Sequence, residues 1–223
     1  MLLEAGLLDG RTNIAVSVLA GTVLAWAVAQ APWRAWLADR ERQWVWLGSL
    51  SLLLAVWSMK AGITPGLSVR FLLMTALTLL HGWHLAVTGG ALVLAVMSYL
   101  GLAEWSLFGP NLLCMAIVPA LFTAWFHERV HALLPPNYFV YFFVTTFLGS
   151  ALAFNLAGLA RVGLLALSGT LDRAHVGAEY FAILPLMSFG EAVVNGTLIG
   201  MAVVYRPRWV MSFDDRVYLA GRP

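Results

Sequence analysis

Apolar runs separated by short polar connections dominate this sequence. Seven runs are mostly apolar, and they cover residues 14–31, 44–59, 71–80, 83–100, 112–126, 138–160 and 180–205. A helix needs about 20 apolar residues to cross the hydrocarbon core of a bilayer. Run 71–80 is too short for a full span, so it is predicted to be a half-helix, re-entrant or shielded by its neighbours. The pattern predicts an all-α bundle of about seven transmembrane segments.

Composition supports a membrane protein. Hydrophobic residues make up 61% of the chain and charged residues 11%, and the mean hydropathy is +0.83. These values lie far outside those of soluble domains. The connections are short, so residues 1–223 are predicted to form one transmembrane domain, with residues 205–223 as a short cytoplasmic tail. The lone Cys114 excludes an internal disulfide.

The arginines predict how the bundle is oriented. They concentrate in the first connection, after the fifth run and in the tail, at Arg34, Arg40, Arg42, Arg129, Arg206, Arg208, Arg216 and Arg222. Cytoplasmic loops carry the excess of basic residues, so the N-terminus is predicted to lie outside and the C-terminus in the cytoplasm. Seven crossings satisfy this orientation. The arginines suit loops that lie against anionic lipid, and nothing in their pattern indicates a nucleic-acid partner.

One carboxylate lies deep in the last run. Ser188, Glu191 and Asn195 fall at i, i+3 and i+7, so they form one polar stripe on an otherwise apolar helix. A charged group at that depth costs a few kcal/mol and usually marks a transport path or site. The alternative is a carboxyl group that only ties two helices together. Small residues of the last run predict close packing against run 138–160, which carries Asn155.

Several strings in order resemble one known family. They are AGITPG at 61–66, GPNLLCMAIV at 109–118, LPPNYFVY at 134–141, EAVVNG at 191–196, VVYRPRW at 203–209 and FDD at 213–215. Together they resemble the CbiM-related membrane proteins, the substrate-binding components of energy-coupling-factor transporters for cobalt and nickel. The resemblance implies a multi-pass protein of the bacterial inner membrane. It also implies two kinds of partner, a transmembrane coupling protein and cytosolic ATPase subunits.

Two positions depart from the family's metal-binding pattern. Cobalt and nickel members begin Met-His-Ile-Pro and use that histidine, the terminal amine and a later histidine of a Gly-x-Ser-Gly-His run. This sequence begins Met1-Leu2-Leu3, and Gly66-Leu-Ser-Val-Arg70 places Arg70 at the second histidine. A guanidinium cannot bind a cation as a ligand and suits a carboxylate or another anion. The resemblance therefore implies the fold and the transport class, without that metal site.

Other histidines offer two further possibilities. His81 and His84, at i and i+3, could face one metal ion if the backbone stays helical there, or they could be polar caps of a helix break. His127-Glu128-Arg129-Val130-His131 matches the zinc motif H-E-x-x-H. A catalytic zinc ion normally has three protein ligands, and the only acidic pair predicted on that side is Asp214-Asp215. This motif raises the alternative of an intramembrane zinc metalloenzyme.

The resulting prediction is a membrane component that moves a divalent transition metal ion or a small metal complex. Glu191 and Asn195 are predicted to line the pathway, Asn111 and Asn155 to supply neutral oxygen atoms, and Arg70 to guard the outer mouth. No tightly bound cofactor is expected, since the metal is substrate. The sequence has no Walker-type phosphate loop, so ATP hydrolysis is assigned to partner subunits. A non-transporting assembly or sensor subunit is a further alternative.

Overall fold

The structure is a computed structural model that describes residues 2–3, 8–59, 61–64, 67–170, 175–214 and 218. Its α-helices are α1 Gly10–Gln30, α2 Trp33–Ala38, α3 Arg40–Ser58, α4 Met74–His81, α5 Trp83–Tyr99, α6 Phe108–Leu112, α7 Val118–Leu133, α8 Gly149–Leu167 and α9 His175–Tyr205. π-helical turns at Leu113–Ile117 and Val140–Leu148 continue α6 into α7 and lead into α8. Asp9 begins α1 as its N-cap, because its carboxylate accepts a hydrogen bond from the Thr12 N–H at 3.3 Å.

Within the described residues, five helical stretches are long and apolar enough to cross a membrane. They are Gly10–Gln30, Met74–Tyr99, Trp105–Leu133, Val140–Leu167 and Ile183–Tyr205. Many large apolar side chains on their outer faces are exposed, as faces in contact with lipid require. The predicted helical membrane bundle is confirmed, whereas the number of crossings and the orientation stay predictions.

The helical bundle carries one short hairpin in addition. Ala61–Thr64 (β1) and Leu67–Val69 (β2) pair as a short antiparallel hairpin, with Ala61 opposite Val69 and Gly62 opposite Ser68. The hairpin occupies the Gly- and Pro-containing connection between α3 and α4. Extended pairing satisfies part of the backbone N–H and C=O groups of this connection.

The stretch Met74–Tyr99 is long and apolar enough to cross a membrane by length and composition, but it is not one straight helix. Gly82 has φ 79° and ψ 156°, a conformation that interrupts helical geometry. A Cβ atom placed on Gly90 would lie 3.6 Å from Met74 Sδ, whereas a continuous helix would separate those residues by about 24 Å. Helices α4 and α5 therefore fold back on each other as an antiparallel pair. The eight-residue α4 matches the half-helix predicted for residues 71–80.

Two tryptophans of α3 hold that pair in place. Trp57 is fully buried and its indole N–H donates to the Leu72 carbonyl at 3.2 Å. The buried Trp46 donates in the same way to the Leu85 carbonyl at 3.2 Å. A buried tryptophan combines a large apolar contact with one directional hydrogen bond. Helix α3 thus lies antiparallel to α4 and fixes the point, next to Leu72, where α4 begins.

Candidate functional site

Helix α4 begins inside the bundle, where its first backbone N–H groups have no water to bond. Leu73 precedes the helix in a left-handed conformation, φ 54°, and offers no side-chain cap. Glu191, at the middle of α9, supplies the missing acceptor. One carboxylate oxygen accepts the Leu72 N–H at 2.8 Å and the other accepts the Leu73 N–H at 2.7 Å. A negative charge at a helix N-terminus also interacts favourably with the helix dipole.

Asn195 completes this arrangement one turn along α9. Its amide oxygen accepts the Ala76 N–H at 2.7 Å, which is the bond that an N-cap residue normally makes. Its amide nitrogen donates to the Glu191 carboxylate at 2.9 Å and to the Glu191 carbonyl at 2.8 Å. We call Glu191 and Asn195 together the α4 cap. They supply from α9 the side-chain acceptors that cap α4, because the residue before α4 offers none.

The α4 cap is a dry contact. Glu191 is 2% exposed and Asn195 is fully buried. A groove of about 900 Å³ lies alongside α4, but its walls include Leu73 and Ala76 and neither residue of the cap. Three N–H groups already occupy the Glu191 carboxylate. The pathway role predicted for these two residues stays a prediction, and the visible contacts are those of a structural tie between α9 and α4.

Two other residues predicted for the pathway make bonds within their own helices. The Ser188 hydroxyl donates to the Pro185 carbonyl at 2.9 Å. Asn155 is half-buried and its amide donates to the Ala151 carbonyl at 2.8 Å. The predicted close packing of α9 is present, since a Cβ atom on Gly200 would lie 2.9 Å from the Phe142 ring. That packing does not bring Asn155 into the α4 cap.

A second polar contact holds the beginning of the chain inside the bundle. Leu2 and Leu3 are buried, and the Leu3 N–H donates to the Asn111 side-chain oxygen at 2.7 Å. Asn111 is fully buried on α6, and within the described part of the chain its amide nitrogen has no hydrogen-bond partner. Cys114 lies in the same apolar cluster as Leu3. Asn111 therefore orders the segment around Leu3. At these positions the CbiM-related proteins carry the first part of their metal-binding motif.

Replacing Asn111 with leucine tests this contact. The change leaves the buried Leu3 N–H without an acceptor, so we expect a loss of about 1–3 kcal/mol in stability. Asn155→Leu is the matched control, because it removes a half-buried amide whose hydrogen bond, among the described residues, lies within its own helix. Thermal unfolding of both variants in the same detergent measures the difference. Equal apparent Tm values for the two variants would contradict an ordering role for Asn111.

Arg70 lies between β2 and α4 and is 6% exposed. Its guanidinium donates through Nη1 to the Trp57 carbonyl in the last turn of α3. Its Nε has no hydrogen-bond partner among the residues that the structure describes. A buried guanidinium with a spare donor fits the predicted preference for an anionic group.

The two histidines around Gly82 have different partners. Gly82 interrupts the helical backbone between them, and both the metal role and the alternative of polar groups at a helix break stay predictions. His81 is buried and its Nε2 lies 3.2 Å from the Ser49 hydroxyl on α3. The His84 ring stacks on Trp83, with ring centroids 3.8 Å apart.

The H-E-x-x-H motif lies at the end of α7. The rings of His127 and His131 are 6.3 Å apart, while Glu128 is exposed. His131 Nδ1 lies 3.2 Å from the Tyr218 hydroxyl, and burial raises the pKa of that phenol. Among the described residues, no three His, Cys, Asp or Glu side chains group together as a metal site would require. Asp215 lies outside the described residues, so the predicted acidic pair cannot be placed as a whole.

The sequence pattern missed the donors of the α4 cap, which are the backbone N–H groups of Leu72, Leu73 and Ala76. Backbone groups carry no residue signature. The available signal was indirect: a run of only ten apolar residues, 71–80, must begin or end inside the bundle. Its free N–H groups then need acceptors. Glu191 and Asn195 are polar side chains near the middle of the apolar run 180–205, so they were candidates for that role.

Interrupted helices occur in the bundles of several membrane transport proteins. Residues 3–209 match the family model for CbiM, described as the cobalt uptake substrate-specific transmembrane region. This chain belongs to the CbiM family. It is a multi-pass membrane component of metal uptake, a transport component rather than an enzyme.

Solved structures show the same fold. A truncated transition metal transporter superposes with a TM-score of 0.76 at 18% identity, over 92% of this chain and 99% of that one. A second structure of a transition metal transporter gives 0.74 at 19% identity, over 90% of this chain and 92% of that one. No curated protein matches the sequence significantly.

Proposed function

We propose that this chain is the substrate-recognising membrane component of an energy-coupling-factor transporter in the bacterial inner membrane. Its cargo is a divalent transition metal of the cobalt and nickel kind, carried as the ion or as a small complex. A transmembrane coupling protein and cytosolic ATPases supply the energy. The family match over residues 3–209 carries this proposal, and the two transition metal transporters of the same fold support it.

The side chains favour a metal complex over a bare ion. The described residues hold no group of three His, Cys, Asp or Glu side chains for a naked cation. The buried Arg70 instead keeps a guanidinium donor, Nε, without a partner in the described part of the chain. A carboxylate of a chelating ligand would pair with such a donor, whereas a bare cation would be repelled. Arg70 is thus the residue we assign to recognition of an anionic group on the cargo.

In this proposal the α4 cap positions the binding region and does not bind cargo. Glu191 holds the N–H groups of Leu72 and Leu73, two and three residues after Arg70. Asn111 likewise holds Leu3 through a buried hydrogen bond. Interrupted helices of this kind place their free ends at substrate sites in several transporter folds. The two ties would keep both segments in place while cargo enters and leaves.

Metal accumulation in cells tests the function. The host lacks its own cobalt and nickel uptake and expresses this chain together with a coupling protein and ATPases from the same genome. We expect the complete set to accumulate radioactive cobalt or nickel, with and without a carboxylate chelator in the medium. Arg70→Gln should lower chelate uptake on the order of tenfold, the effect of one lost hydrogen bond to a charged group.

Arg129→Gln is the matched control, because Arg129 is exposed near the end of α7. Within the described part of the chain its side chain lies near the Trp125 ring. Immunoblots of membranes confirm equal amounts of each variant. If neither metal accumulates although all subunits reach the membrane, the proposed transport function is wrong. Accumulation that persists without this chain would instead favour the assembly or sensor role.

A further inference from the structure

The groove beside α4 adjoins a smaller basic pocket. The groove, of about 900 Å³, lies between α3, α4 and α9, and its walls are apolar over most of their area, with Gly48, Leu52, Leu77 and Met201 among them. The second pocket, of about 250 Å³, is lined by two arginines, Arg42 and Arg208. Val45, Leu80 and Trp209 line both, so the two spaces share a wall. Together they form one site with an apolar part and a cationic end.

We propose that this site binds an anionic phospholipid, with an acyl chain in the groove and the phosphate between Arg42 and Arg208. Charge complementarity selects this occupant over a neutral lipid. Arg42 and Arg208 come from different elements, the first turn of α3 and the turn Pro207–Trp209 after α9. Arg206 lies in the wall of the groove itself. Basic pockets between transmembrane helices on the cytoplasmic side are recognised sites for anionic headgroups.

Two described carboxylates near Arg42, those of Asp39 and Glu41, leave its charge available. Asp39 pairs with Arg42 through Nε at 3.2 Å, a contact that leaves both Nη groups of the guanidinium to donate elsewhere. Both side chains of that pair are about half exposed, at 49% and 44%, so solvent screens it. Glu41, in the groove wall, accepts the Trp209 indole N–H at 2.7 Å. That bond ties the chain after α9 to α3 and occupies the carboxylate that lies in the groove wall.

Lipid retention by the purified protein tests the proposal. After extraction in mild detergent, native mass spectrometry compares added phosphatidylglycerol with phosphatidylcholine of the same acyl chains. We expect selective retention of phosphatidylglycerol and a higher apparent Tm in its presence. Inorganic phosphate at the same concentration should neither be retained nor raise the apparent Tm, because the acyl chain contributes most of the contact. Arg42→Gln and Arg208→Gln should each weaken retention about fivefold, the effect of one arginine near an anionic lipid.

A glycine substitution blocks the groove without disturbing the backbone. A Cβ atom on Gly48 would meet nothing within 4 Å, so Gly48→Phe places a ring in the space of the acyl chain. Gly21→Phe on α1 is the control, since Gly21 has equally open surroundings and does not line the groove. We expect Gly48→Phe to lose phosphatidylglycerol and Gly21→Phe to keep it. Lipid-free Tm values equal to that of the unsubstituted protein show that both variants fold.

Three results would overturn the proposal. The first is equal retention of the two lipids, and the second is equal retention by the Gly48→Phe and Gly21→Phe variants. The third is a Gly48→Cys variant that cross-links to a coupling protein while phosphatidylglycerol retention stays unchanged, since a partner helix would then be the occupant. The arginine variants decide the matter even if Gly48→Phe folds poorly, because both arginines are exposed at the surface. None of these measurements depends on metal transport.

Discussion

Glu191→Ala is expected to lower the apparent Tm of the purified protein by roughly 10 °C and to reduce its folded yield. The substitution removes the acceptor of two backbone N–H groups, those of Leu72 and Leu73, in a site with no access to water. Each buried donor left unpaired costs about 1–3 kcal/mol. It also removes the negative charge from the N-terminus of α4. Thermal unfolding in detergent, followed by size exclusion, measures the effect.

Glu191→Gln separates the structural role of the carboxylate, as acceptor of backbone N–H groups, from the predicted contact with cargo. Glutamine keeps one acceptor oxygen but points an NH₂ group at the other backbone N–H, so most of the destabilisation should remain. Glu128→Gln is the matched control, because Glu128 is exposed on α7 and its loss should leave the Tm unchanged. If Glu191→Gln unfolds like the unsubstituted protein but abolishes metal accumulation, the carboxylate meets cargo and the positioning role is wrong.

The bounds of a helix were predictable where the end of an apolar run coincides with a residue that stops or caps a helix. The run 83–100 became α5, Trp83–Tyr99, because Gly82 stops one helix and starts the next. The run 14–31 became α1, Gly10–Gln30, extended at its start because Asp9 caps the helix. Hydropathy places such helices well, because lipid requires every backbone group to be bonded within a segment.

For each hydrogen bond of the α4 cap to helix α4, the sequence predicted the side-chain acceptor but not the backbone donor. Glu191 and Asn195 stand out as polar residues in an apolar helix, whereas their partners are backbone N–H groups that could belong to any neighbour. Asn155 has the same chemical character, but its helix turns it toward its own Ala151 carbonyl. Which of the two asparagines, the buried Asn195 or the half-buried Asn155, reaches across the bundle depends on helix rotation. No spacing rule within one sequence gives that rotation.

Gly109→Ala is expected to destabilise the bundle by about 1–3 kcal/mol, the usual effect of forcing an extra methyl group into a packed contact. Gly109 on α6 packs against α1, and a Cβ atom there would lie 2.5 Å from Ser17 Cα and 2.6 Å from Ser17 Oγ. The nearest of these atoms is backbone, so α1 itself must move. Since α6 also carries Asn111, the shift should loosen Leu3 and lower metal accumulation. Apparent Tm and uptake are measured on the same variant.

Gly21→Ala is the control that isolates the clash. Both substitutions gain the same helix propensity, about 1 kcal/mol in favour of alanine, but a Cβ atom on Gly21 meets nothing within 4 Å. Gly21→Ala should therefore keep or raise the Tm, and the gap between the two variants measures the clash alone. Adding Ser17→Gly removes the clash with the hydroxyl but leaves the clash with the α1 backbone, so it should rescue Gly109→Ala only in part. Complete rescue would show that the side chain, and not the approach of the two backbones, sets the α1–α6 distance.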